Sequence, residues 1–155
     1  MKYFTRQELI EELKKYFDIR ELVCQHTYKA FGDKSWQFFD RDALETLLVL
    51  RRDIFGVSMT INNWHTGGKF SQRGFRCNIC QLVKDKTLKG LIYLTSHANG
   101  AAFDCDVKGL TAEQARRKIE ANKDKLPCNI RVEGGVSWLH FDIYDTGVKF
   151  YQFNP

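Results

Sequence analysis

Two short segments in the C-terminal half alternate apolar and polar residues with a period of two, and each sets a metal-ligating residue type among its polar positions. In Ala101–Val107 the apolar Phe103, Cys105 and Val107 alternate with Ala102, Asp104 and Asp106. In Trp138–Tyr144 the apolar Leu139, Phe141 and Ile143 alternate with Trp138, His140, Asp142 and Tyr144. Successive side chains on a strand point to opposite faces. Each segment therefore buries one row in a core and presents Asp104 or His140 on the other face. If the two strands are neighbours those side chains converge, and His97, in the turn before the first strand, closes the site. Two imidazoles and one carboxylate are the ligand types zinc accepts when a fourth position is left open.

The remaining elements follow from capping and periodicity. Thr5-Arg-Gln-Glu8 reads as a capping box opening a helix to about Tyr16, and Asp18-Ile-Arg-Glu21 opens a short second one. Gln25–Phe39 carries no clear period, with a turn at Phe31-Gly-Asp-Lys-Ser. Asp40 caps a helix from Arg41 to Ile54, with Leu44, Leu47, Leu48 and Leu50 along one stripe and Gly56 as its stop. Val57–Trp64 reads as a strand, His65–Leu88 as a long functional loop, and Gly90–Thr95 as a further strand. Thr111-Ala-Glu-Gln114 opens a helix to about Lys123. Cys128–Glu133, Trp138–Tyr144 and Val148–Phe153 are short strands, the last two suggesting a hairpin across Asp145-Thr-Gly147. Helices first and strands later predict a single α+β domain over 1–155, with a helical part to about 55 packed on a small, mostly antiparallel sheet from about 57 onward.

Composition narrows the function. No uninterrupted apolar run approaches the roughly 20 residues of a membrane span. The N-terminal MKYFTRQELIEELKKYF mixes acids and bases at helical spacing, so it is not read as a secretory signal; synthesis in the cytoplasm is expected. The net charge of +5 favours anionic partners. Its bases are scattered among 19 acids with no basic run interleaved with aromatics, which argues against a nucleic-acid surface and leaves a solvated face or an anionic cell-wall polymer.

Five cysteines cannot form a complete disulfide framework. Cys77-Asn-Ile-Cys80 is a lone pair; a structural zinc site would want a second close pair, and Cys24, Cys105 and Cys128 are isolated in sequence, so reduced structural thiols are expected rather than a second metal site. His26 reads as structural. His65, in Trp-His-Thr-Gly-Gly, is a pocket-lining candidate, and Trp138 shares a strand face with His140.

The pattern His97-x-x-Gly100-x-Ala102-x-Asp104, with the later Trp138-x-His140, resembles the zinc peptidases of the hedgehog/DD-peptidase superfamily, which include D-alanyl-D-alanine carboxypeptidases and the L-alanyl-D-glutamate endopeptidases of phage endolysins. The stretch Ile61–Arg76 is similar to the arginine-bearing segment that precedes the metal motif, in a phage-like form. The resemblance covers about Val57 to Tyr144. It implies that His97, Asp104 and His140 bind Zn2+ and that Arg76 binds a substrate carboxylate, with Arg73 as the neighbour offering the same fork. Gly100 and Ala102 would leave room for the backbone beside the metal. The family often has an acidic general base three positions before the last histidine, where this chain has Ser137. Glu133 is the first replacement and Asp142 the second, Asp142 being equally suited to orient a ligand.

What the resemblance implies is hydrolysis of peptidoglycan stem peptides by a zinc enzyme that reaches the wall through phage lysis or a virion. The alternative is a non-catalytic zinc-containing binding or virion-structural module of the same fold. The sequence names neither the bond cut nor the oligomeric state.

Overall fold

The computed structural model describes residues 4–155, so the first three residues of the charged N-terminal stretch lie outside it. Thr5 caps helix α1 (Arg6–Leu13) through a reciprocal box with Glu8. The helix stops short of Tyr16 because Asp18 and Glu21 build a second box around the 3-10 turn Ile19–Glu21. The segment without clear periodicity holds α2 (Gln25–Phe31) and a 3-10 stretch, Gly32–Phe38. Asp40 caps α3 (Arg41–Val49), which widens into a π-helical turn, Leu50–Phe55, and ends at Gly56 in the left-handed conformation. The wider turn keeps Leu50, Ile54 and Phe55 all buried.

The loop expected over 65–88 contains a 3-10 turn at Trp64–Thr66 and helix α4 (Gln81–Leu88). Helix α4 escapes a periodicity reading because Val83 is its one buried residue. Helix α5 (Ala112–Ala121) follows its Thr111–Gln114 capping box and ends two residues before Lys123.

The sheet is mixed and five-stranded: β1 (Met59–Thr60), β2 (Ala102–Val107), β3 (Ile130–Glu133), β4 (Leu139–Asp142) and β5 (Phe150–Phe153), in the order β1-β2-β4-β3-β5. The β1–β2, β2–β4 and β3–β4 pairings are antiparallel and β3–β5 is parallel. This bears out the α+β class and corrects three details. The strand expected at 57–64 pairs over Met59–Thr60 alone, because Asn62 turns away to donate its backbone N–H to Glu21 O and its side-chain amide to Val23 O. Residues 90–95 form no ladder. The hairpin across 145–147 does not form: both edges of β4 are taken by β2 and β3, so the chain crosses over to the outer edge of β3.

One apolar cluster joins the helices to one sheet face, with Leu9, Leu13, Leu44, Leu47 and Ile119 against Phe103, Val132, Leu139 and Phe141. Phe103 is fully buried, its ring 5.4 Å from that of Phe39 and 5.5 Å from that of Phe141. Phe103→Ala removes that ring from a site the backbone ladder prevents from collapsing. Urea unfolding should show a loss of about 3–5 kcal/mol.

Candidate metal centre

The opposite sheet face carries the site. In the β2–β4 register Asp104 stands directly opposite His140. Facing side chains of an antiparallel pair lie within about 5 Å of each other, and the Asp104 carboxylate meets His140 Nδ1 at 2.8 Å. His97 comes from the turn before β2 and places Nε2 3.2 Å from the other Asp104 oxygen. The two imidazole centroids are 5.3 Å apart. All three residues are at least nine-tenths buried, and one ligating atom from each lies within 4.8 Å of the others.

Both candidate imidazole ligands are oriented by neighbours. His97 Nδ1 donates to the Gly74 carbonyl at 2.9 Å, which leaves Nε2 as the lone-pair nitrogen toward the site. Gly74 is required there, because a Cβ would sit 2.0 Å from the Leu22 carbonyl oxygen. His140 Nε2 reaches Asp142 at 3.0 Å, leaving Nδ1 for a metal. Asp142 is clamped in turn by Arg131, which donates Nε and Nη2 to its two oxygens at 3.0 and 2.9 Å. The Arg131 guanidinium lies between the rings of Tyr144 and Phe153, 4.4 and 4.6 Å from their centroids. This arrangement fixes the imidazole tautomers that ligation requires.

The electrostatics suit a cation. Burial works against charge on His140, but its hydrogen bonds with Asp104 and Asp142 outweigh it and push its pKa up to about 9. Burial likewise works to raise Asp104, while the hydrogen bond from His140 holds it ionised, well below the usual carboxylate range. Asp142 is held down in the same way, against burial, by His140 and Arg131. Two buried carboxylates thus remain charged beside His140, an arrangement that could also accept a cation.

Above this point opens a cavity of about 480 Å3 whose wall includes Arg76, Glu133, Trp138 and Arg131. Arg76 donates Nε to Gln72 O at 2.6 Å, Nη1 to Tyr93 Oη at 2.7 Å and Nη2 to Asp104 at 3.3 Å. With five N–H donors on a guanidinium, one on each terminal nitrogen remains for a ligand carboxylate. Glu133, at the end of β3, and Trp138, before β4, are held by Arg116, which is 4% exposed and donates to the Glu133, Val136 and Trp138 carbonyls.

Other candidates lie elsewhere. Arg73 is in a two-pronged ion pair with Asp106 and stacks on Phe70, outside the cavity wall. His65 sits in its 3-10 turn against Trp64, also outside it. Ser137 lines a separate cavity on the α5 side of the sheet, so the position three before His140 faces away from the metal point. Gly100 has φ +68°, and its close approach is to the Phe38 carbonyl rather than to the site, a Cβ there falling 2.0 Å from that oxygen. Sequence reasoning missed Arg131; its signal was the period-two spacing to Glu133 on the same strand.

No family model, curated protein or solved structure matches the chain.

A second convergence was absent from the sequence reading. Cys24, His26, Cys77 and Cys80 bring one ligating atom each within 4.8 Å of one another, so the cluster could hold a metal ion. Cys24 is isolated only in sequence.

Asp142 offers a direct test of ligand orientation. Asp142→Ala removes the acceptor of His140 Nε2 and unpairs Arg131. Competition with a chromogenic chelator should show zinc affinity lower by about 10–100-fold.

Proposed function

We propose that this protein is a zinc-dependent peptidase of the hedgehog/DD-peptidase type that hydrolyses the peptide stems of peptidoglycan, delivered to the cell wall by phage lysis or in a virion. The observation that carries the reading is the meeting of His97, Asp104 and His140 at the floor of an open cavity with Arg76 and Glu133 in its wall. Three N/O ligands leave one position open, the pattern of catalytic rather than structural zinc.

His97 Nε2, the Asp104 carboxylate and His140 Nδ1 would hold the ion, and their hydrogen-bonded tautomers fit it. A zinc ion there would supply a Lewis acid that polarises a carbonyl and lowers the pKa of a water to about 7. Arg76 donates its two remaining N–H groups to a carboxylate of the stem peptide and sets the scissile bond over the floor. Glu133 accepts the proton of the attacking water and returns it to the departing amine as the C–N bond breaks. Arg131, through Asp142, keeps His140 in the ligating tautomer. Trp138 and Phe153 wall the cavity.

The placement of Ser137 on the far side favours a second reading, a non-catalytic zinc-containing binding or virion-structural module. Incubation of the zinc-loaded protein with purified peptidoglycan and with a synthetic stem peptide decides between them. New amines and cleaved stems in the mass spectrum support the peptidase, whereas retention on peptidoglycan without any cleavage product supports the module. Among the described residues no helix is long and apolar enough to cross a membrane.

A further inference from the structure

Cys24, His26, Cys77 and Cys80 take no part in the site above, yet their side chains meet. Cys24 caps α2 and His26 stands in its first turn, while Cys77 precedes α4 and Cys80 caps it. A Cys-x-His pair and a Cys-x-x-Cys pair thus come together across a separation of 53 residues. Cys77 Sγ lies 3.5 Å from Cys24 Sγ, 3.8 Å from Cys80 Sγ and 3.6 Å from His26 Nδ1.

Zinc geometry accounts for these separations. With Zn–S of about 2.3 Å and Zn–N of about 2.05 Å, a tetrahedral ion sets two sulfurs about 3.8 Å apart and a sulfur and nitrogen about 3.6 Å apart. All five cysteines are free, and the sulfurs stand well beyond the roughly 2.05 Å of a disulfide. Three thiols and one imidazole make a closed set with no position for substrate, which is the structural class of zinc site. Cys24 and Cys80 are each 1% exposed, and the Cys24 sulfur accepts the Thr27 N–H, as a thiolate in such a site does.

We propose that Cys24, His26, Cys77 and Cys80 form a second, structural zinc centre that pins the arginine-bearing loop to helix α2. The segment from 77 to 95 needs such a pin. Helix α4 buries Val83 alone, and Leu88, Ile92 and Leu94 are 76%, 86% and 80% exposed. One buried valine gives an eight-residue helix little to hold it in place. What the pin holds is part of the cavity wall: Arg76 directly precedes Cys77, and its Nη1 donates to Tyr93 Oη at the far end of the same excursion. The centre thereby acts on the cavity as a positioning device.

This centre does not depend on the peptidase reading, and cobalt separates the two sites. Full-length protein, prepared with zinc, is exchanged into Co(II) and measured for absorption and for metal content per chain. Tetrahedral cobalt with three thiolates has an intense sulfur-to-metal charge-transfer band in the near ultraviolet, which a His2Asp site lacks. The expected results are two metal ions per chain in the parent and one in the His97→Ala/His140→Ala variant, both with the band. Cys80→Ser should lose the band and one ion, whereas His26→Cys, which keeps four ligands, should retain it. The parent spectrum reads the centre directly, so a Cys80→Ser chain that fails to fold leaves the test intact. Absence of the band from the parent overturns the proposal, as does a metal content untouched by Cys80→Ser in folded protein or a metal-free parent lighter by two hydrogens.

Discussion

His97→Ala and His140→Ala are each expected to lower stem-peptide hydrolysis by at least about a thousandfold, equivalent to about 4 kcal/mol of transition-state stabilisation, and to remove one zinc ion per chain. Each substitution leaves at most one imidazole and a carboxylate at the metal point, too few ligands to retain zinc against water. The two variants should differ in stability. His97 donates to the Gly74 carbonyl, and its loss costs that hydrogen bond, about 1 kcal/mol. His140 bridges Asp104 and Asp142, so its loss leaves two ionised carboxylates facing each other across a buried gap. His140→Ala should therefore be the less stable protein in urea, the more so once metal is stripped. Near-parental hydrolysis by either variant in chelator-treated buffer would end the zinc mechanism, while a zinc-loaded parent without hydrolysis would point to the binding module.

Two of the three candidate ligands, Asp104 and His140, were legible because each sits in a segment whose polarity alternates cleanly. Phe103, Cys105 and Leu139, Phe141 had to face the core, which put Asp104 and His140 on one open face before any pairing was known. The direct Asp104–His140 register then required only that β2 and β4 be neighbours. Capping boxes at Thr5, Asp18 and Thr111 likewise announced their helices, because a side-chain oxygen and an acid or amide three residues on satisfy the first free N–H groups.

What stayed hidden depends on long-range pairing. Nothing local says that β5 passes over β3 instead of returning beside β4. Helix α4 buries one residue and so has no stripe to read. Cys24 read as isolated and His26 as structural because their partners stand more than fifty positions away. The β-bridge of Val23 with Phe75 lays the two segments side by side and so brings the four side chains into one place. The placements of Glu133 and Ser137 rest on the same kind of information, since the chain between β3 and β4 sets the first in the wall of the cavity beside His97 and the second in another cavity.

Arg76→Ala should lower kcat/KM on a stem peptide with a free carboxylate by about 10–150-fold at saturating zinc, the equivalent of about 1.5–3 kcal/mol for hydrogen bonds to a charged group. Arg76→Lys should recover little of this. A lysine ammonium keeps the charge but cannot hold Gln72 O, Tyr93 Oη and Asp104 while presenting two parallel N–H groups to a ligand. Because Arg76 also donates to Asp104, its removal touches the metal as well as the substrate, and the two effects must be separated. A substrate amidated at the recognised carboxylate does so. If Arg76 binds that group, the parent enzyme loses most of its advantage on the amide, and parent and Arg76→Ala then hydrolyse it at similar rates. If Arg76 acts only by holding Asp104, the variant is equally impaired on both substrates. The coupling between the two changes, read as a double-mutant cycle, measures the carboxylate contact itself. A coupling near zero would remove Arg76 from substrate recognition while leaving the zinc site in place.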